Sequence, residues 1–400
     1  MSAKTPAAPE PTTVRRESLV SVGSRNSRST RASRGSRATG SMRASQHSVQ
    51  VGEQVGPFLR GRQAPLERGE VNYLVQGPPR GAPVIVMIHG LNGSMASFTN
   101  IEPELRKAGF RTILYDLYGF GLSSSPRRRL DPELYVSQLE YLLDGLQVIG
   151  KINILGFSMG GIIAVEFAQK FPQRVAKVLL AAPGGLLARE ETPCAPVVFG
   201  CLRSSGGCCL VNSACGCVGC CSCAFRRWVL SKKCEGSFEP DVREPQNFTD
   251  ISRQNAERFA SNIRRSVKSY LSAVSGMPLW RDAFSSQFER FAASDTPVLF
   301  LWGDADCTVP WSEVGQEVVR IFGATKTSCI HMRGSGHGLL LEDAKEAAGY
   351  IVNWFNGSDE ADWTELLARC RLSNLAQASS GSMAPEQEEM SSLPTNGISI

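Results

Sequence analysis

The chain has 400 residues, a hydrophobic share of 42% and a net charge of +5, which is enough apolar content for a large folded core. Residues 1–50 contain nine Lys or Arg and two acidic residues, so the rest of the chain is close to neutral. A nearly neutral folded body argues against nucleic acid as a partner, because phosphate binding needs a positive face on the folded domain.

Residues 1–55 are rich in Ser, Arg, Thr and Gly, and are predicted to form a disordered tail because they lack apolar surface to bury. Arginines recur at every third position from Arg25 to Arg37. This repeat is interpreted as a solvated linker, a segment for a basophilic kinase, or a polybasic patch for anionic membranes. Residues 373–400 are predicted to form a second disordered tail.

No apolar run typical of a secretory signal follows Met1, so the expected location is cytoplasmic, with membrane association as a further expectation. A mitochondrial transit segment is the alternative, although the tail lacks the apolar residues of an amphipathic helix. The thirteen cysteines are then expected to be reduced thiols.

Five continuous apolar runs are predicted as strands buried on both faces: Val84–Ile88, Thr112–Tyr115, Ile152–Leu155, Val178–Ala182 and Val298–Trp302. Helical patterns at Pro132–Ile149 and Met159–Phe171 lie between strands, which predicts a doubly wound α/β fold with a mostly parallel sheet. Residues 185–292 interrupt this alternation and are predicted to be an inserted lid, between core segments 56–184 and 293–372.

Residues 156–160 read Gly-Phe-Ser-Met-Gly between a predicted strand and a predicted helix. In this G-x-S-x-G turn the glycines let strand and helix approach closely, and the serine is exposed at the carboxyl edge of the sheet. The pentapeptide alone is a weak signal, but here it has the required context. Ser158 is therefore the predicted nucleophile.

A serine nucleophile usually needs a histidine base, and the chain contains four histidines. His47 falls in the predicted tail, and His89 precedes a glycine in a turn that is expected to shape an oxyanion loop. His331 lies in an apolar alternation typical of a structural strand residue. His337 lies in a glycine-rich loop after the last predicted strand, and is the predicted base.

The acid is expected on a loop at the same edge of the sheet, before the histidine in the chain. Asp304 and Asp306 both directly follow the strand Val298–Trp302. A carboxylate in such a turn also serves as a local hydrogen-bond acceptor, so the residues alone leave both candidates open.

Three motifs together resemble the α/β-hydrolase superfamily. They are the serine turn, the segment Asp-x-x-Gly-x-Gly-x-Ser at Asp116–Ser123, and an acid loop with Gly303-x-x-Asp306 before Val309-Pro310. The resemblance covers residues 66–357 apart from the insertion, and is to lipase- and esterase-like members of the monoacylglycerol lipase type. It implies that Asp306 is the acid, with Asp304 as the alternative.

The resemblance also implies an oxyanion loop at His89–Gly93, in which the backbone N–H groups of Leu91 and Met159 hold the oxyanion. The implied activity is that of a serine hydrolase, which cleaves carboxylic esters of hydrophobic acyl groups through an acyl-enzyme on Ser158. A hydrophobic small-molecule ester is the expected partner, and no cofactor or metal is expected.

Several alternatives remain for the activity. A thioesterase, a carbon–carbon hydrolase or a peroxidase-like relative would use the same triad, and a non-catalytic scaffold would use none of it. Members of the superfamily that open epoxides or displace halide use Asp at the nucleophile position, so Ser158 excludes those reactions.

Ten cysteines lie between Cys194 and Cys234, around a charge-free stretch at residues 204–225 with arginines on both sides. This pattern favours S-acylation, which would attach the lid to a membrane. The candidates are Cys208, Cys209, Cys220, Cys221 and Cys223. The alternatives are a zinc cluster that includes Cys217, and an unmodified loop.

Overall fold

The computed structural model describes residues 54–55, 58–79, 81–188, 257–323 and 328–357. The two predicted tails lie almost wholly outside these ranges, and so does the cysteine-rich segment with its five candidate acylation sites. The predicted domain boundaries therefore stay predictions. Among the described helices, none has the length and apolar character needed to span a membrane.

The described strands form one large sheet and one small one. Their bounds are β1 Gln54–Val55, β2 Phe58–Leu59, β3 Arg62–Leu66, β4 Gly69–Gln76, β5 Val84–Ile88, β6 Arg111–Tyr115, β7 Ile152–Phe157, β8 Val175–Ala181, β9 Val298–Gly303 and β10 Cys329–Met332. Strands β1 and β2 pair with each other, and the other eight have the order β10-β9-β8-β7-β5-β6-β4-β3.

Parallel pairing runs without a break from β6 through β5, β7, β8 and β9 to β10. Strand β4 is antiparallel to both β6 and β3. This arrangement confirms the predicted doubly wound, mostly parallel sheet. Strands β5 and β7 are buried along almost their whole length, because helices cover both faces of the sheet.

The described α-helices are α1 Glu102–Lys107, α2 Pro132–Gly145, α3 Met159–Lys170, α4 Ile263–Gly276, α5 Arg281–Ala292, α6 Trp311–Phe322, α7 Leu339–Glu342 and α8 Ala344–Asn356. Residues 257–261, just before α4, are also helical. Helix α3 packs on β7 and β8 and also contacts α2 and α5.

Helix α2 ends at Gly145, four residues before the predicted end at Ile149. Gln147 takes a left-handed conformation with φ of 53°, and the N–H of Val148 donates to the carbonyl oxygen of Leu143. This six-to-one hydrogen bond is the Schellman motif that closes helices. Ile149, which is 95% exposed, lies beyond the turn that follows the helix, so the prediction that the helix reaches it was wrong.

Helix α5 lies within the predicted insertion, yet its apolar face is part of the helical layer on the sheet. Phe284, Phe288 and Phe291 are fully buried there. The rings of Phe288 and Phe291 lie 6.1 and 6.4 Å from the ring of Phe322 on α6. The end of the insertion therefore returns the chain to the core before β9 begins.

Candidate active site

Ser158 lies in the sharp turn between β7 and α3. Its backbone has φ of 53° and ψ of −122°, a combination that residues other than glycine rarely adopt. The N–H of Ser158 donates to the carbonyl oxygen of Ala181 on the neighbouring strand at 2.9 Å, and Gly161 and Gly184 donate to its own carbonyl oxygen. These hydrogen bonds hold the turn, so the hydroxyl lies at the carboxyl edge of the parallel sheet.

Close packing of the helix start on the sheet explains the glycines around Ser158. A Cβ at Gly160 would lie 2.1 Å from the carbonyl oxygen of Ile88, at the end of β5. A Cβ at Gly156 would lie 2.7 Å from the carbonyl oxygen of Gly160. No side chain fits in either gap, so the N-terminus of α3 lies directly beside the loop that follows β5.

The structure brings the three predicted catalytic residues into one hydrogen-bonded chain. His337 Nε2 lies 3.2 Å from the Oγ of Ser158, and His337 Nδ1 lies 2.8 Å from the Oδ2 of Asp306. A carboxylate can only accept, so Nδ1 carries the proton and Nε2 presents a lone pair to the serine hydroxyl. This tautomer is the one that a general base needs.

The carboxylate of Asp306 is held from its other side by backbone donors. Its Oδ1 accepts from the N–H groups of Thr308 and Val309, each at 2.8 Å. The carbonyl oxygen of Val309 in turn accepts from the indole of Trp302 on β9 at 2.8 Å. The side chain of Asp306 is fully buried, so its geometry toward His337 is fixed.

Asp304, the alternative acid, has a different role. Its side chain is exposed, and its Oδ1 accepts from the N–H of Gly334. Asp304 therefore holds the start of the loop that carries His337. The structure places Asp306 and not Asp304 in hydrogen-bond contact with His337 Nδ1.

Two further contacts hold the His337 loop, and sequence reasoning missed both. The Oγ of Ser335 donates to the carboxylate of Asp343, and the N–H of Gly336 donates to the Oε2 of Glu342 at 3.0 Å. Glu342 is buried, and no sequence motif marks it. Its position five residues after His337, at the end of a short apolar helix, was the only available signal.

The remaining described histidines are neutral. Burial lowers the pKa of His89 to about 3, and its Nε2 accepts from the N–H of Leu117 at 3.0 Å while Nδ1 lies 2.8 Å from the carbonyl oxygen of Gly90. Burial also lowers the pKa of His331 to about 4, and its ring packs edge-on against Trp311 at 4.5 Å. Neither position suits a general base.

The predicted oxyanion donors lie on either side of Ser158. A Cβ at Gly90 would lie 2.9 Å from the Cβ of Ser158, and the N–H of Gly93 closes a tight turn on the carbonyl oxygen of Gly90 at 3.1 Å. Leu91 lies inside this turn. Met159 is the first residue of α3, so its N–H has no acceptor within the helix. The oxyanion role of these two N–H groups stays a prediction.

Among the described residues, no group of three His, Cys, Asp or Glu side chains is placed to hold a metal ion. The chemistry that this arrangement offers is nucleophilic. A serine hydroxyl is polarised by an oriented imidazole, and backbone donors lie nearby.

Comparison with known proteins agrees with this architecture. Residues 83–196 match the sequence model of the α/β-hydrolase fold family. A crystal structure of the enol-lactonase from Burkholderia xenovorans LB400 superimposes with a TM-score of 0.55 and 20% identity, over 74% of this chain and all of that one. Likeness at this identity shows the fold.

Two curated relatives match the first part of the core. A 2-hydroxy-6-oxononadienedioate/2-hydroxy-6-oxononatrienedioate hydrolase of Paraburkholderia xenovorans is 38% identical over 128 residues, which are 29% of this chain and 41% of that protein. Lipase 1 of Psychrobacter immobilis is 35% identical over 114 residues, which are 28% of this chain and 35% of that protein. The chain thus spans less than half the length of the curated relatives it matches. The sheet order, the family match over residues 83–196 and the likeness to solved structures together show that the chain has the α/β-hydrolase fold.

Proposed function

We propose that the protein is a serine hydrolase that cleaves carboxylic esters of hydrophobic acyl groups. The observation that carries the proposal is the continuous hydrogen-bonded chain from the Oγ of Ser158, through His337, to the buried carboxylate of Asp306. A non-catalytic scaffold has no need to hold a serine in a strained turn against an imidazole of the correct tautomer.

The geometry supports a two-step acyl transfer. The Oγ of Ser158 attacks the ester carbonyl carbon as its proton passes to His337 Nε2, and the imidazolium formed is stabilised by Asp306. The tetrahedral intermediate collapses, and the leaving alkoxide takes the proton from Nε2. Water then attacks the acyl-enzyme with the same imidazole as base, which releases the acid and restores the serine.

Apolar residues around the nucleophile turn support a hydrophobic acyl group. The ring of Phe157 lies 5.2 Å from the ring of His337. The N–H of Gly184 donates to the carbonyl oxygen of Ser158, and the N–H of the next residue, Gly185, donates to the carbonyl oxygen of Leu279. These two hydrogen bonds hold the half-buried Leu279 and Trp280 next to the segment that contacts the nucleophile turn. The similarity to a lipase points the same way.

Hydrolysis of a carbon–carbon bond is the second candidate. It is favoured by the similarity to the 2-hydroxy-6-oxononadienedioate hydrolase, at 38% identity over a segment of the core. The same triad would serve, so the two candidates differ in the substrate and not in the catalytic residues.

A series of p-nitrophenyl esters with acyl chains from two to sixteen carbons tests the proposal. We expect kcat/KM to rise with chain length at first, and Ser158→Ala to lower it at least about 1,000-fold. Ser286→Ala, at an exposed position of α5, is the matched control and should equal the wild type. Loss of activity in neither variant, or no esterase activity in the wild type, would refute the proposal.

A further inference from the structure

His337 packs against an aromatic ring that the nucleophile turn does not require. Phe157 is the last residue of β7 and directly precedes Ser158. The turn needs glycine at positions 156 and 160, where a Cβ would meet backbone atoms, but the G-x-S-x-G pattern leaves position 157 variable. Phe157 is also only half-buried at the margin of the core, so burial alone does not account for a ring at this position.

The alternation of β7 directs the ring of Phe157 away from α3. A Cβ at Gly156 would lie 2.9 Å from the Cβ of Ala164 on α3, so Gly156 faces that helix. Successive residues of a strand face opposite sides of the sheet, and Phe157 therefore faces the other side. The contact between Phe157 and His337 joins the end of β7 to the loop that follows β10.

The two rings form a tilted, offset stack. Their centroids are 5.2 Å apart, and the angle between their planes is 38°. Two rings that lie side by side in one plane do not come this close, because the atoms on their rims would collide, so the rings of Phe157 and His337 overlap. In contrast, His89 and His331 meet their aromatic neighbours edge-on, at 88° and 81°.

This arrangement matters because the charge of His337 changes during the proposed reaction. The imidazole is neutral when the substrate arrives and becomes an imidazolium when Nε2 takes the proton of Ser158. The face of an aromatic ring carries partial negative charge and attracts a cation within about 6 Å of its centroid. The attraction by Phe157 is therefore stronger in the transition state than in the ground state, which is the condition for raising kcat.

We propose that Phe157 is a positioning residue that stabilises the imidazolium form of His337. This inference rests on the proposed serine hydrolysis, which forms the imidazolium, and it assigns a role to the variable residue of the nucleophile turn. The expected contribution to kcat is about three- to tenfold, as for a partly desolvated contact between a cation and an aromatic face.

Contact with the acyl chain of the substrate is the alternative role for Phe157, and kinetics on the series of p-nitrophenyl esters separate the two roles. Phe157→Leu should lower kcat about three- to tenfold, by the same factor for every acyl chain and with little change in KM. Phe157→Tyr keeps the aromatic face and should stay within about twofold of the wild type. A loss that appears in KM and grows with chain length would overturn the inference.

Phe171 offers a matched control at the far end of α3. It is half-buried, and the Nζ of Lys170 lies 5.0 Å from its ring centroid. Phe171→Leu thus removes an aromatic contact with a cation away from the triad, and kcat should equal that of the wild type. An equal loss of kcat in the Phe157 and Phe171 variants would contradict the assignment.

Fluorinated phenylalanines at position 157 separate the charge of the ring from its packing. Site-specific incorporation of 4-fluoro-, 3,4,5-trifluoro- and pentafluorophenylalanine withdraws electron density from the ring face while nearly keeping its shape. We expect kcat to fall with each step, down to the value of Phe157→Leu, while the thermal midpoint stays constant. A constant kcat across the series would show that the ring acts by packing alone, and would overturn the inference.

The rate at which a fluorophosphonate probe labels Ser158 gives a second readout that needs no ester substrate, because the same imidazole takes the serine proton. The labelling rates of the fluorinated proteins should follow the order of their kcat values. Equal labelling rates throughout would overturn the inference. Rates that depend on fluorination, in a protein that hydrolyses no ester, would support the role of Phe157 and refute the proposed ester hydrolysis alone.

Discussion

The carboxylates around His337 show how single residues of one type take separate roles. Asp306 is buried, accepts two backbone N–H groups on one oxygen and faces His337 with the other. Asp304, two residues earlier, is exposed and accepts from the backbone of Gly334. The sequence alone did not decide whether Asp304 or Asp306 is the catalytic acid, because the two residues differ in which loop each side chain contacts.

Exchange of each carboxylate for an amide separates these roles. Asp306→Asn should lower kcat for ester hydrolysis by about 1,000-fold or more, because an amide can no longer hold the proton on Nδ1 and stabilise the imidazolium. Asp304→Asn, the matched control, should stay within about threefold of the wild type, because its backbone contact survives in an amide oxygen. Similar losses in the two variants, measured by steady-state kinetics, would contradict the assignment.

Two buried histidines give the protein a predictable acid sensitivity. Burial holds the pKa values of His89 and His331 at about 3 and 4, below the value of 6.5 expected in the unfolded chain. As the pH falls from 6.5 to about 4, the two histidines therefore bind protons in the unfolded state but stay neutral in the folded state. The free energy of unfolding should fall by about 2 kcal/mol for each histidine between pH 7 and pH 5.

Urea unfolding of the wild type and of His331→Gln at pH 7 and pH 5 measures this dependence. The variant has one buried imidazole fewer, so it should lose about 2 kcal/mol less than the wild type over the same range. The comparison uses the difference between the two pH values, so any constant loss of stability in the variant cancels. An identical pH dependence would show that His331 is protonated in the folded protein.

At the scale of elements, the central strands were predictable and the sheet edge was not. Strand β5 is a continuous apolar run because it is buried on both faces, and it begins and ends where the sequence predicts. Strand β4, with the sequence Gly-Glu-Val-Asn-Tyr-Leu-Val-Gln, mixes exposed and buried positions, so no such run marks it. Strand β3 is an edge strand that contains Pro65, a residue that argues against a central strand in any sequence.

The site residues, like the strands, were predictable only where a local sequence pattern reflects the packing. The glycine-flanked serine was recognisable because the close approach of α3 to β5 leaves room for hydrogen only. The role of Glu342 was not recognisable because no sequence motif marks that residue, and the contact of Arg258 was not recognisable because no local spacing reports a contact between distant segments. Arg258, for example, bonds to Ser94 across 164 positions of the chain.

A methyl group added at Gly160 tests the packing of α3 on β5. Gly160→Ala should lower the free energy of unfolding by about 3 kcal/mol and reduce ester hydrolysis, because the new Cβ meets the carbonyl oxygen of Ile88 and the backbone must shift. Gly349→Ala, in the exposed middle of α8 with open space around it, should instead raise stability by about 0.5 to 1 kcal/mol. Equal effects of the two substitutions in thermal unfolding would contradict the close approach.

At the scale of the whole molecule, the triad joins segments that are far apart in the chain. His337 and Ser158 are separated by 179 positions and meet because β7, β9 and β10 end at the same edge of the parallel sheet. The strand order of the sheet, and not any local sequence motif, therefore brings the catalytic residues together. Membrane attachment through Cys208, Cys209, Cys220, Cys221 and Cys223, the cytoplasmic location and the lid boundaries concern residues or properties outside the described structure and stay predictions.

The central claim is that Ser158 is an activated nucleophile in the folded protein, and covalent trapping tests it most directly. A fluorophosphonate probe should add one phosphonyl group to the wild type, and mass spectrometry of the digested protein should place it on the peptide that contains Ser158. Ser158→Ala should take up no probe under the same conditions. An adduct on a different serine, or none at all on correctly folded protein, would contradict the account.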